Sequence, residues 1–203
     1  METTYPFSAL VARMKYITRW SLMRAARPES LSEHTADTAL LAHMLCLIAT
    51  RILGEDEAEI CPERVAVAAL YHDAPEILTG DVPTPVKYQT EAMRTACKAL
   101  ERTSAETMAR LLPPELQGEL AGWLQGERLT GAEKKLLKAA DRLSALIKCM
   151  EEGAAGSHEF DAARKAQEAA LHEMDCPAAE YFMRQMLPCY TQNLDELTHG
   201  RLA

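Results

Sequence analysis

Aromatic residues are scarce in this chain, at 5% of 203 positions. β-Branched residues never alternate with polar ones over a useful length, so no segment reads as a half-buried strand. A sheet-based fold loses its support on pattern alone. No two cysteines are spaced as CxxC. Cys46, Cys61, Cys97, Cys149, Cys176 and Cys189 stand apart, most of them inside helical patterns, which argues against a disulfide framework and for reduced thiols. Positive charge is in deficit. A net charge of -8 makes a nucleic-acid polymer a poor general partner. Long apolar runs are also missing: the longest, Ala39 to Ala49, contains His43 and is too short to span a bilayer. The N-terminal Met-Glu-Thr-Thr-Tyr-Pro has no signal-peptide character. The expectation is a cytoplasmic protein that meets no membrane.

What is present fits an ordinary globular chain, 48% hydrophobic and 26% charged. Its length suffices for one domain with a sizeable core. No repeat, low-complexity tract or long linker divides it, so residues 1–203 read as one all-α domain. Helical periodicity predicts helices over 5–17, from an N-cap at Ser32 to about Leu53, and from Pro62 to His72-Asp73. Further helices are expected over 87–111, 114–125, 131–151, 158–174 and 177–187. Pro75 disfavours helix at Ala74, so the third helix should end or kink there. Thr79-Gly-Asp-Val-Pro-Thr-Pro85 reads as a rigid turn, and Gly153 as the stop of the 131–151 helix. Residues 1–28 hold Arg13, Lys15, Arg19, Arg24 and Arg27 against Glu2 alone. That excess suits a small anion such as phosphate, or simply a solvated helix face.

The chemistry gathers around His72-Asp73, at the end of the apolar run Val65-Ala-Val-Ala-Ala-Leu-Tyr. Two such groups are costly to bury unpartnered. A divalent transition metal suits both imidazole and carboxylate, and water at a helix end would serve them too. His34 and Asp141 stand in similar apolar helical settings. Asp141 is the one acid in Leu136-Leu-Lys-Ala-Ala-Asp-Arg-Leu-Ser-Ala-Leu-Ile147, and Arg142 points about 100° away from it. An arginine from another helix could satisfy it instead. If helix persists past Pro75, Glu76 falls one turn beyond His72 on the same face.

The order His34 … His72-Asp73 … Asp141 resembles the metal-binding signature of the HD superfamily. Ile17-Thr-Arg-Trp-Ser-Leu-Met-Arg24, Ser32-Glu-His34, the block Tyr71–Tyr88 and Lys138-Ala-Ala-Asp141 resemble the bacterial 5′-deoxynucleotidases of that superfamily, from about Phe7 to about Glu196. The departure from those relatives is Pro75, where they carry Ser. The resemblance implies an all-α HD-type helical bundle and a homodimer that removes the 5′-phosphate of 2′-deoxynucleoside monophosphates. It implies one divalent cation (Co, Mn, Fe or Zn) on His34, His72, Asp73 and Asp141, with Glu76 catalytic. It implies substrate contacts from Arg19, Trp20, His34, Asp81 and Thr84, with Asp81 and Trp20 bordering the deoxyribose. The residue types fit this chemistry independently, because a metal that polarises phosphate and acidifies water lowers a very high barrier. Arg19 can hold phosphate by a bidentate contact.

Relatives with other reactions fit less well. Two-metal HD phosphodiesterases add histidines between the His-Asp pair and the last Asp, whereas none stands between His72 and His158 here. Hydrolases of the stringent-response nucleotide carry a Glu-Asp pair where this chain has Glu76-Ile77. Deoxynucleoside triphosphate hydrolases are usually longer. The non-enzyme alternative is a catalytically silent nucleotide-binding helical domain.

Overall fold

A computed structural model describes residues 4–56 and 58–199. Among them there is no strand beyond one isolated bridge, Thr18 to Ser30. The helices are α1 Phe7–Val11, α2 Leu31–Leu47, α3 Pro62–Tyr71, α4 Glu76–Thr79, α5 Thr84–Lys87, α6 Glu91–Ala109, α7 Pro114–Leu124, α8 Gly131–Ala154, α9 Asp161–Glu173, α10 Pro177–Gln185 and α11 Leu194–His199. The all-α architecture expected from the periodicity is the one observed.

The ends of the elements carry the corrections. The expected 5–17 helix is α1 followed by a 3₁₀ turn, Ala12–Tyr16. The N-cap of α2 is Ser30, not Ser32. Ser30 Oγ accepts the Glu33 N–H, and Glu33 Oε2 accepts the Ser30 N–H. Only Ser30 has an acid three residues on, which the reciprocal cap requires. Gly153 does not stop α8, which runs on to Ala154. The left-handed residue is Gly156, at φ +86. Ser157 N–H bonds the Glu152 carbonyl and Gly156 N–H the Gly153 carbonyl, the paired bonds of a Schellman close. In the 79–85 turn, only Gly80 to Pro83 is irregular. Thr79 ends α4, Gly80 takes φ +74, and Thr84-Pro85 opens α5, where proline suits the first turn. Helix α11 was not expected, although Asn193 and Glu196 form a reciprocal cap before it.

Helix α2 is the spine of the molecule, packing most extensively on α3 and α8. With the π turn Ile48–Ile52 it reaches 22 residues, and by length and composition alone it could cross a membrane. Here 56% of its most apolar window is buried inside the fold, so it is used as a core helix.

Two apolar clusters form the interior. One joins α2, α3, α8 and α10 through Leu45, Val65, Leu143, Leu146 and Phe182. The other joins α1, the start of α2, the turn after α3, α6 and α7 through Phe7, Leu31, Ala74, Met108 and Leu124. His34 lies between Leu31 of the second cluster and Ala39 of the first. His72 and Asp73 lie between Ala69 of the first and Ala74 of the second. Both histidines therefore stand where the chain passes from one core to the other.

Candidate active site

Three elements bring the polar residues together. Helix α3 ends at Tyr71, and the chain continues in i→i−3 bonds: Ala74 N–H to Tyr71 carbonyl, Glu76 N–H to Asp73 carbonyl, Ile77 N–H to Ala74 carbonyl. Such tight turns eclipse residues three apart. Glu76 thus stacks with Asp73 rather than continuing an α-helical face from His72, which corrects the expected one-turn spacing. Pro75, buried, sits at the N-cap of α4. The sharp turn and the short helix both accommodate it.

Both histidine rings are anchored by one nitrogen and aim the other inward. His72 Nδ1 lies 2.6 Å from the Ala69 carbonyl, an acceptor only, so this nitrogen carries the proton. Its Nε2 is buried, makes no hydrogen bond, and approaches Asp73 Oδ2 to 3.1 Å. His34 is fully buried. Its Nδ1 is 2.9 Å from Ser144 Oγ. Its Nε2 faces Asp141 Oδ1 at 3.3 Å and Asp73 Oδ2 at 3.5 Å. One donor atom each from His34, His72 and Asp141 lie within 4.8 Å of one another. Asp73 adjoins this group and shares Oδ2 with Arg19 Nη1 at 3.5 Å.

The electrostatics follow from this crowding. Burial opposes the charge on His72, but Asp73 outweighs it and lifts the pKa to about 9. His34 rises in the same direction against its own burial, through Asp141 and Asp73. Burial works against ionised Asp73 and Asp141 too, yet the histidines hold both below the usual carboxylate range. Glu76 goes the other way. Burial, with Asp73 and Asp81 nearby, raises it to about 9, and its Oε2 has no hydrogen-bond partner.

These observations test the donor set for a metal. Two imidazole nitrogens converge with two carboxylates, His72 Nε2 without a hydrogen bond and His34 Nε2 with only a long one to Thr38 Oγ1 at 3.5 Å, a mixture that suits Co, Mn, Fe or Zn. The bonds on the far nitrogens are those that orient metal-binding histidines. The residues fit such an ion.

Beside the cluster, Arg19 and Trp20 are held by Glu29. Its Oε2 accepts from Arg19 Nε at 3.1 Å and from Trp20 Nε1 at 2.9 Å. Trp20 has φ 58, a strained setting for a bulky residue, and its ring meets Phe160 edge-on. Asp81 is half-buried. Burial raises its pKa, while Arg19 and the Trp20 N–H pull the other way. A cleft of about 440 Å³ opens from His72, Asp73 and Glu76 toward Lys87, Lys98 and Arg102.

With this geometry in place, the comparisons are specific. A family model described as 5′-deoxynucleotidase YfbR-like matches residues 6–190. The chain belongs to that family. It is 40% identical over 192 residues to a 5′-deoxynucleotidase of Vibrio parahaemolyticus, covering 95% of this chain and 97% of that protein. An HD-domain phosphohydrolase from Listeria innocua superposes with a TM-score of 0.78 at 22% identity, over 91% of this chain and 87% of that one. A cyanophage S-2L HD phosphohydrolase, solved with dA and one catalytic Zn²⁺, gives 0.61 at 20% identity, over 95% and 99%. The fold is the HD-type helical fold expected from the resemblance.

Of the residues named from sequence, His34, His72, Asp73 and Asp141 converge, and Arg19 and Glu76 adjoin them. Thr84 is exposed at the start of α5 and joins no part of the cluster. The basic excess of the N-terminal segment is mostly spent elsewhere: Arg24 pairs with Glu159, Arg27 with Glu33, and Arg13 and Lys15 lie over Tyr16. Only Arg19 reaches the site. Sequence reasoning missed Ser144 and Glu29. Ser144 carried a signal, a hydroxyl three residues past Asp141 in an otherwise apolar run. Glu29 carried none.

Proposed function

We propose that this chain is a metal-dependent 5′-deoxynucleotidase that hydrolyses 2′-deoxynucleoside 5′-monophosphates to deoxynucleoside and phosphate. The observation that carries this is the convergence of two inward-facing imidazole nitrogens with two carboxylates, beside Arg19 and a buried carboxyl, in a member of this family.

His34, His72, Asp73 and Asp141 would hold one divalent transition metal. When bound, such an ion polarises a phosphoryl oxygen and lowers the pKa of water toward ~7. Arg19, freed of rotamer choice by Glu29, offers its remaining guanidinium N–H groups to the phosphate. Burial, with Asp73 and Asp81 nearby, favours the protonated form of Glu76. That state suits delivery of the proton to the departing 5′-oxygen as the P–O bond breaks. Trp20 and Asp81, linked through the Trp20 N–H, border the sugar. A carboxylate there can bond the 3′-hydroxyl while leaving no room for a 2′-hydroxyl.

The working form is a homodimer in the cytoplasm. The dimer is supported by the groove between α2, α8 and α10, where Leu40 is 72% exposed beside Met44, Phe182, Met186 and Tyr190. Sedimentation of the pure protein near 22.5 kDa would count against it. The cytoplasm is supported by six free cysteines. Phosphate release from a panel of deoxyribo- and ribonucleoside 5′-monophosphates, with and without EDTA, tests the activity. Release from deoxyribonucleotides only, abolished by EDTA, is expected. Equal rates on both sugars would make the chain a general 5′-nucleotidase.

A further inference from the structure

The last turns of α8 carry a buried ion pair far along the helix from Asp141. Lys148 and Glu152 are 3% and 1% exposed, with Nζ and Oε1 2.5 Å apart. Such a pair stabilises little by itself, since desolvation offsets most of the attraction. This one is committed to backbone. Glu152 Oε2 accepts the Ala26 N–H at 2.6 Å, and Oε1 accepts the Arg27 N–H at 3.1 Å. Lys148 Nζ donates to the Arg27 carbonyl at 2.5 Å.

Besides this pair, the segment is held by the surface ion pairs of Arg24 with Glu159 and Arg27 with Glu33, which are worth little where exposed. Arg24, Ala26, Arg27 and Pro28 are all exposed, so apolar burial does not order this stretch. Two residues beyond Arg27 comes Glu29, whose carboxylate carries both Arg19 and Trp20. The Glu29 carbonyl also accepts the Arg19 N–H at 2.9 Å. Where Glu29 stands therefore decides where the guanidinium and the indole stand.

We propose that Lys148 and Glu152 form a positioning clamp: they fasten the 24–29 loop to α8 so that Glu29 presents Arg19 and Trp20 to the site. Asp141, Ser144, Lys148 and Glu152 follow at steps of three, four and four residues, one stripe of one helix. A single rigid element thus supplies a carboxylate of the metal cluster, the hydroxyl that orients His34, and the anchor of the phosphate-side loop. The two halves of the site keep their separation because both are fixed to the same rod.

This inference rests on the reading of Arg19 as the phosphate contact, and the test separates the two. The variants are Arg19→Ala, Glu152→Gln, Lys148→Met, Lys148→Arg and the double variant Arg19→Ala/Glu152→Gln. Each is assayed for kcat and KM on dAMP and for Mn²⁺ affinity after metal stripping. Gln at 152 keeps the size but replaces one acceptor oxygen by an amide and leaves Lys148 without its counter-charge. Glu152→Gln and Lys148→Met should each raise KM about 10-fold, with kcat and Mn²⁺ affinity nearly unchanged, because a small misplacement of a binding group is expensive. Lys148→Arg should restore most of the loss. The double variant should lose less than the product of the two single losses, since the Arg19 share of what the clamp positions is already gone and only the Trp20 share remains. Lowered thermal stability with normal KM in both clamp variants, or losses that multiply in the double variant, would overturn the clamp. An unchanged KM in Arg19→Ala would overturn the phosphate role of Arg19 itself, and the clamp as stated with it.

Discussion

Replacing Ser144 by Ala should weaken metal binding without touching any of the four proposed ligands. Ser144 is buried, and its Oγ sits 2.9 Å from His34 Nδ1. His34 is fully buried, so no water takes over that nitrogen when the hydroxyl is removed. Two costs follow. An unsatisfied buried N–H costs about 1–3 kcal/mol of stability, which for a domain of this size lowers Tm by about 2–4 °C per kcal/mol. The ring is also free to turn its proton toward the carboxylates, and loss of such an orienting bond lowers metal affinity by about 10–100-fold. That corresponds to roughly 1.4–2.8 kcal/mol, since each 1.4 kcal/mol is tenfold. Calorimetric titration of stripped wild-type and Ser144→Ala protein with Mn²⁺ or Co²⁺ reads the affinity, and thermal melts in EDTA read the stability. A lowered Tm with unchanged metal affinity would refute the reasoning. The ring orientation would then be set by Asp73 and Asp141 alone.

Glu76→Gln keeps the size and hydrogen-bonding shape but has no proton to give. Metal content should be unchanged while kcat on dAMP falls by roughly 10²–10⁴; metal lost together with turnover would make Glu76 a ligand instead. Metal-free protein should lose stability as pH rises from about 6.5 to about 9. His72 is protonated up to about 9 in the fold and only to about 6.5 unfolded, so its contribution is complete below 6.5 and gone above 9. Glu76 stays neutral to about 9 in the fold but ionises near 4.3 when unfolded, so its cost grows through the same window. Melts in EDTA across that range should show Tm falling, and an added divalent ion should restore most at the alkaline end, where its ligands are already deprotonated. A Tm that climbs with pH would contradict both assignments. Asp81→Ala should narrow the gap in kcat/KM between dAMP and AMP, and an unaltered ratio would remove Asp81 from sugar selection.

The helical class was legible because the hydrophobic period runs through most of the chain, and the four clustered residues were legible from His72-Asp73 at the end of one apolar run, Asp141 inside another, and the order with His34 that resembles the HD signature. What pattern could not supply was partner geometry. Ser30 and Ser32 compete for one cap, and the acid at position 33 decides for Ser30, a spacing visible in the sequence but outweighed by the nearer serine. Gly153 looks like a helix stop, yet the chain turns left-handed at Gly156, where the paired backbone bonds close. Glu76 was set by α-helical arithmetic on a stretch that folds in tighter turns, so its neighbour is Asp73. Ser144 lay within reach of the same spacing argument that found Asp141. Glu29, Lys148 and Glu152 lay beyond it. Their roles depend on contacts across 9 to 126 residues, and no local pattern encodes which loop a buried acid will meet.

The most direct test of the central claim is metal content measured alongside phosphate release from dAMP, in wild-type protein and in His34→Ala, His72→Ala, Asp73→Ala and Asp141→Ala. The account predicts one divalent ion per chain in wild type, and parallel loss of metal and turnover in all four variants. Full phosphate release by metal-stripped protein, or by any of the four variants without its ion, would contradict it.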